Sequence, residues 1–233
     1  MRALLILIIV LAIALIAGDR AAVTLTQNEI GRAIAGEYEL PQRPRVAIGG
    51  FPFLTQAVDG RYREIDVEVG DWQDQDIRVR DLDVTLTDVS APLRDLLGRR
   101  TSNLVAATAT ATALVPYDVV RDFAPSGVET ISHGPDGLRV TGTFSVEGIP
   151  VPATLIVTVV PTEDGIEVTP VSVQPAAGGP TIPLALLRNS LAFTVPLQRL
   201  PLGARLTAIE PTTAGLRATA VAHDIRFSDL PRA

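Results

Sequence analysis

His133 and His223 are the only histidines in the chain, and it has no cysteine, so the usual nucleophiles, bases and soft metal ligands are scarce. Nucleophilic hydrolysis needs a Ser or Cys beside a histidine that an acid orients, and no G-x-S-x-G elbow is present. His133 stands in Ser132-His133-Gly134-Pro135, a turn composition, and His223 stands among strand-like residues before Asp224. Both read as ordinary surface or sheet histidines. Zinc fails on the same arithmetic, since two histidines leave too few preferred ligands. Asp71, Asp74 and Asp76 around Trp72 offer the oxygens that calcium takes, but their spacing matches no EF-hand loop and reads as a solvated loop between two strands. Asp81-Leu82-Asp83 has the D-x-D form of metal-dependent glycosyltransferases, yet any strand with an acidic face generates it. P-loop and dinucleotide fingerprints are absent. The expectation is a protein without a cofactor and without enzymatic activity.

The elements that would position any site begin with an apolar N-terminus. Arg2 precedes an unbroken apolar run, residues 3–17, followed by Gly18, Asp19 and Arg20. A positive residue before such a run is the pattern of an export signal. At about 1.5 Å per residue the run spans about 23 Å, short of a hydrocarbon core of about 30 Å. No A-x-A cleavage pattern follows it, which favours an uncleaved anchor over a removed peptide. Without cysteine the chain has neither disulfides nor the lipid-modified residue of a lipoprotein. Any membrane link is therefore the N-terminal run. The net charge of −6, with no cluster of arginines and aromatics, argues against a nucleic-acid partner.

From Arg20 to Tyr38 an apolar stripe of Val23, Ile30, Ala33 and Ile34 predicts a helix closed by Pro41, and Thr26 with Glu29 has the form of a capping box. Beyond Pro44 the period changes to two. Ile65, Val67 and Val69 alternate with acids, as do Leu82, Val84 and Leu86 with Asp81, Asp83 and Thr85; Ile77 and Val79 have the opposite parity, which predicts a bulge near Asp81. Leu104 to Val115 alternates small apolar residues with threonine. Something must approach that smooth strand closely, either another backbone or a lipid chain. Further strands are predicted over 138–147 and 151–160 with a turn at Gly148-Ile149-Pro150, and over 204–210 and 215–227. Short helices are predicted at 91–99, 116–124 and 183–191, and a loop over 170–183. The 47% of hydrophobic residues suffices for a sizeable core.

The segment from Val46 to Gln56, VAIGGFPFLTQ, followed by Gly60-Arg61-Tyr62 and the acidic alternating strand, resembles the signature of the LmeA-like family of actinobacterial cell-envelope proteins. The family's order of apolar segment, helix, motif and long β-rich remainder covers essentially the whole chain. The resemblance implies phospholipid binding, with phosphoinositides among the ligands, a periplasmic location, and a part in lipomannan-type lipoglycan assembly. It also implies an α+β fold similar to the tubular, BPI-like lipid carriers: a strongly curved, mostly antiparallel β-sheet wrapped around a long N-terminal helix. Residues 1–18 would be the anchor or signal peptide and residues 19–233 a single lipid-binding domain. A competing reading is a membrane-tethered scaffold for an envelope glycosyltransferase, without lipid carriage.

Within the motif, Gly49-Gly50 permits a sharp turn and Pro52 fixes the chain between Phe51 and Phe53. Gly49, Gly50, Phe51, Pro52, Phe53, Leu54, Thr55 and Arg61 are the candidate lipid-binding residues. Two readings stand: a buried corner where the chain enters the sheet, or an apolar lip that dips into a membrane or closes over acyl chains. Arg61 and Arg63 suit phosphate contacts or exposed salt bridges to neighbouring carboxylates.

Overall fold

The computed structural model describes residues 2–74, 77–92, 94–95, 104–146, 149–163, 165–175, 193–196 and 200–229. The fold is α+β, a long N-terminal helix followed by antiparallel strands. The helix α1 runs without a break from Arg2 to Glu37, so the apolar run and the predicted helix after it are one element. It is long and apolar enough to cross a membrane, and the run over 3–17 is bare of packing partners. The capping box is corrected. Thr26 lies inside the helix and its hydroxyl donates to the Ala22 carbonyl at 3.0 Å, the back-bonding open to threonine when no helix end is nearby. The helix stops where Glu39 takes a positive φ of 48° ahead of Pro41.

Next come β1 (Arg45–Ile48), α2 (Phe53–Asp59), β2 (Arg61–Asp74), β3 (Ile77–Ser90) and β4 (Val105–Pro116). The chain continues through α3 (Tyr117–Asp122), β5 (Val128–Gly134), β6 (Gly137–Val146), β7 (Ile149–Pro161), β8 (Gly165–Pro175), β9 (Phe193–Pro196), β10 (Arg205–Pro211) and β11 (Gly215–Arg226). The strands form two sheets in place of the one expected, a six-stranded sheet β1-β2-β3-β4-β11-β10 and a five-stranded meander β5-β6-β7-β8-β9. Pro116 gives the reason for the division. It has no N–H to continue the ladder, and it sits at the N-cap of α3, after which the chain begins a new set of hairpins.

The chain packs as two compact units, one of Met1–Gly70, Asp83–Ala111 and Ala222–Ala233, the other of Asp71–Leu82 and Thr112–Val221. In the first, β1 pairs with β2 so that Val46 faces Val67 and Ile48 faces Ile65; Val46, Ile48 and Ile65 are buried. The α1 helix lies on β1, close enough that a Cβ at Gly31 would stand 2.8 Å from the Pro44 carbonyl. In the second, Leu138, Val140, Phe144, Ala153, Leu155, Val157 and Leu216 form a continuous core, with Tyr117 and Val120 of α3 packed on it.

Several expectations about local structure change. Ile149 and Pro150 belong to β7, paired with Val146 and Ser145, and are not a turn. The loop expected from Pro170 is strand as far as Pro175. Pro170 is accommodated because the β7–β8 register shifts beside it, between Ile156 and Val157, and proline is tolerated at such a bulge. Asp71, Trp72 and Asp74 are likewise part of β2, so the loop expected there is strand through Asp74; Asp76 lies outside the described residues. The break predicted near Asp81 coincides with a positive φ of 47° at that residue, a conformation aspartate tolerates better than most. The helix predicted at 183–191 lies outside the described residues, as do five of the nine positions of that at 91–99, where Arg94 and Asp95 are helical; α3 falls within the predicted 116–124.

Candidate functional site

The motif begins at the end of β1. Gly49 N–H donates to the Glu64 carbonyl at 2.9 Å, extending the pairing with β2 by one residue. Gly50 then takes φ +88°, and a Cβ there would meet the Gln56 side-chain nitrogen at 2.8 Å. The backbone sign requires glycine, and a Cβ would also push the Gln56 amide out of its place. After Phe51 and Pro52, joined by a cis peptide, the chain enters α2. Gln56 reaches back across the turn. Its side-chain N–H donates to the Gly49 carbonyl at 3.1 Å, and its carbonyl oxygen accepts the Arg63 backbone N–H at 3.1 Å. One side chain thus ties the turn to both neighbouring strands.

The structure divides the aromatics between the two readings of the motif. Phe53 is 2% exposed and packs with Ala57 against Tyr62, its ring centroid 6.3 Å away at a tilt of 33°. This is the buried corner. Leu54 and Val58, four residues apart on the opposite face of α2, are 44% and 86% exposed, and Phe51, just before the helix begins, is 57% exposed. This is an apolar lip. Phe51, Pro52, Thr55 and Arg61 also line a surface groove of about 460 Å³ together with Arg63 and Asp88. Neither the Arg61 nor the Arg63 guanidinium forms an ion pair among the described residues, so the expected salt bridges are not made there.

Sequence reasoning passed over three residues here. Asp19, directly after the apolar run, is 2% exposed, and its Oδ1 accepts the Leu54 backbone N–H at 2.8 Å. Pro52, at the N-cap of α2, has no side-chain group to satisfy that turn, so the cap is supplied from α1. Burial alone would raise the Asp19 pKa, but hydrogen bonds from the Leu54 N–H, the Arg20 guanidinium and the Phe53 N–H outweigh it and hold the carboxyl below its usual value. It is charged at neutral pH. Arg20 bonds the other oxygen, Oδ2, at 2.6 Å, and its guanidinium carbon stands 5.3 Å from the centroid of the Phe51 ring, a cation–π contact. The sequence signal was an acid immediately after an aliphatic run. The second residue is Gln56, and the third is Tyr62.

Tyr62 is 1% exposed, and its hydroxyl has no hydrogen-bond partner among the described residues; burial pushes its pKa up. Burying a hydroxyl without a partner costs free energy. Tyr62→Phe is therefore expected to leave stability unchanged or raise it by about 1 kcal/mol. A loss of thermal stability on this substitution would mean that the hydroxyl has a partner.

The residues first considered for chemistry are scattered. His133 is exposed in the β5–β6 hairpin opposite Leu138, and exposed His223 has Nδ1 3.3 Å from the Thr108 hydroxyl. No group of three or more His, Asp or Glu side chains among the described residues could hold a metal ion. What the motif brings together is different: a lip of apolar side chains, two unpaired guanidinium groups and the end of a membrane-type helix.

A family model for LmeA-like phospholipid-binding proteins matches residues 17–221. The chain belongs to this family. The match begins two residues before Asp19 and takes in the whole motif, both sheets as far as Val221 and the long second half of α1. No curated protein matches the chain, and no solved structure does. The LmeA-like family is a lipid-binding family, and membership assigns phospholipid as the ligand class.

Proposed function

We propose that this LmeA-like protein is exported and held at the outer face of the cytoplasmic membrane by α1, where residues 19–233 act as one domain that holds or shuttles phospholipid. The observation that carries the reading is the family match over nearly the whole chain. Phosphoinositides are proposed among the ligands, and lipoglycan assembly of the lipomannan type as the process served. A fold similar to the BPI-like lipid carriers, with the strands divided between two sheets, belongs to the same proposal. Support for it comes from the positive φ values at Asp81, Asp88 and Asp224, each a local break in a long strand where a sheet can bend.

The smooth strand β4 supports lipid holding in particular. From Thr108 to Ala113 every residue is half-buried, on both faces, with no bulky side chain of its own. The Thr112 hydroxyl lies 3.4 Å from that of Thr219 on β11, and the Thr108 hydroxyl 3.3 Å from His223 Nδ1, so these two hydroxyls of the threonine face have partners. An acyl chain laid along the alanine face would gain about 0.8 kcal/mol per buried methylene. Ala109→Phe is expected to fill the space of two or three methylenes and weaken phospholipid retention about tenfold to a hundredfold. The check is the ratio of phospholipid to protein after extraction, with the fold followed by circular dichroism.

The test of the main reading is lipid extraction and native mass spectrometry of the chain from residue 18 onward, purified without detergent. Recovered phospholipid is the expected result. An empty domain that instead captures one envelope glycosyltransferase would replace lipid carriage by the scaffold reading.

A further inference from the structure

We propose that the apolar lip made by Phe51, just before α2, and by Leu54 and Val58 on its exposed face is inserted into the head-group region of the bilayer that holds α1, and that Asp19 is the residue positioning it there. The proposal does not depend on whether the domain carries lipid. It follows from levels along one helix. The apolar run ends at Ala17, and Asp19 is two residues further on, about 3 Å along the axis. With residues 3–17 in the hydrocarbon, Asp19 stands where the hydrocarbon ends. The Leu54 N–H is bonded to Asp19, and Phe51 lies under the guanidinium of Arg20, so the first turn of α2 is held at that same level.

At this level α2 turns its buried residues, Phe53 and Ala57, to the protein and leaves Leu54 and Val58 bare, with Phe51 exposed just before the helix. An exposed apolar face in water is a liability, but in the head-group region it is what an interfacial helix presents. The surrounding charge fits the same occupant. Arg61 and Arg63 border the groove beside the lip, with Asp59 and Asp88 also in its lining, and neither guanidinium pairs with a carboxylate among the described residues. Arginine forks bind phosphate oxygens with two parallel hydrogen bonds, so anionic head groups complete them. A soluble partner protein would need no such registration with the end of a membrane helix.

The chain has no cysteine, which permits a direct test on the full-length protein. Leu54→Cys and Val58→Cys, each labelled with a polarity-sensitive fluorophore, are reconstituted into vesicles of phosphatidylcholine and phosphatidylglycerol. Arg45→Cys serves as the control. Arg45 follows Pro44, which packs on Gly31, fourteen residues or about 21 Å along α1 from Ala17. Blue-shifted emission at 54 and 58, quenched more by lipids labelled near the head group than by those labelled at the chain end, with water-like emission at 45, is the expected result. Water-like emission at all three positions overturns the proposal. Blue-shifted emission at all three overturns it as well, since the protein would then lie flat with no particular lip.

The role of Asp19 is read in the same system. In the labelled Leu54→Cys protein, Asp19→Ala is expected to shift the emission back towards that of water with the circular dichroism unchanged, while Asp19→Asn, which keeps an oxygen for the Leu54 N–H, retains the blue shift. Unchanged emission in Asp19→Ala removes Asp19 from the mechanism. Phospholipid recovery by extraction is a separate readout, so failure of lipid holding and failure of the inserted lip are told apart.

Discussion

Phe53→Ala is expected to destabilise the protein by about 3–5 kcal/mol and to lower its melting midpoint by roughly 10 °C or more. The ring is 2% exposed at the corner where α2 meets β2, and it packs on Tyr62, itself buried and unable to follow it into the space left. The removed atoms lose their transfer free energy, and the cavity adds to the cost because the neighbours are held by strand pairing. Phe51→Ala, two residues earlier, is expected to change stability by no more than about 0.5 kcal/mol, since that ring is mostly in solvent and its contact to Arg20 is an exposed one. Thermal melts of the two single variants check the contrast. Charged substitution of both rings together would not separate the corner from the lip, because the two rings have opposite environments.

Gly142→Val is the second large effect, in the other unit, and is expected to cost about 3 kcal/mol, the upper part of the usual range for overpacking. On the neighbouring strand β5, Val128 pairs with Gly142, and the carbonyl of Gly127 accepts the Thr143 N–H at 2.8 Å. A Cβ added to Gly142 would collide with that carbonyl, which is backbone and cannot rotate aside as a side chain could. The start of β5 must then leave β6. Hydrogen exchange should show lost protection at Thr143 and in β5, with β7 and β8 still protected. Retained protection at Thr143 would mean that the close approach is relieved in some other way.

The candidate site shows where sequence reading succeeds. Gly50, Pro52 and the phenylalanines announced a tight corner because glycine and proline restrict the backbone in ways visible from residue type alone. Which phenylalanine would be buried was not legible, since both are equally apolar and two residues apart. That was decided by the rotation of α2, held from one side by Gln56 and from the other by Asp19. Asp19 itself looked like the polar end of an anchor. Its role depends on Leu54, thirty-five positions away, and no local pattern carries a contact of that separation.

Alternation of apolar and polar residues marked β2, β3, β4, β6, β7, β10 and β11, because a strand with one wetter face repeats every two residues. It missed the four-residue β1 and β9, too short to show a period, β8, whose prolines argue for a loop until the bulge beside Pro170 is seen, and β5, where His133 and Gly134 read as a turn. The apolar N-terminal run, the absence of cysteine and the scarcity of histidine were determined by the sequence itself. They depend only on which residues are present. The division of the strands into two sheets, the bare face of α2 and the bond joining that helix to the end of the apolar run were decided only by tertiary structure. Each is a matter of which distant backbone groups meet, and burial and hydrogen bonding between segments far apart in the chain leave no period to read.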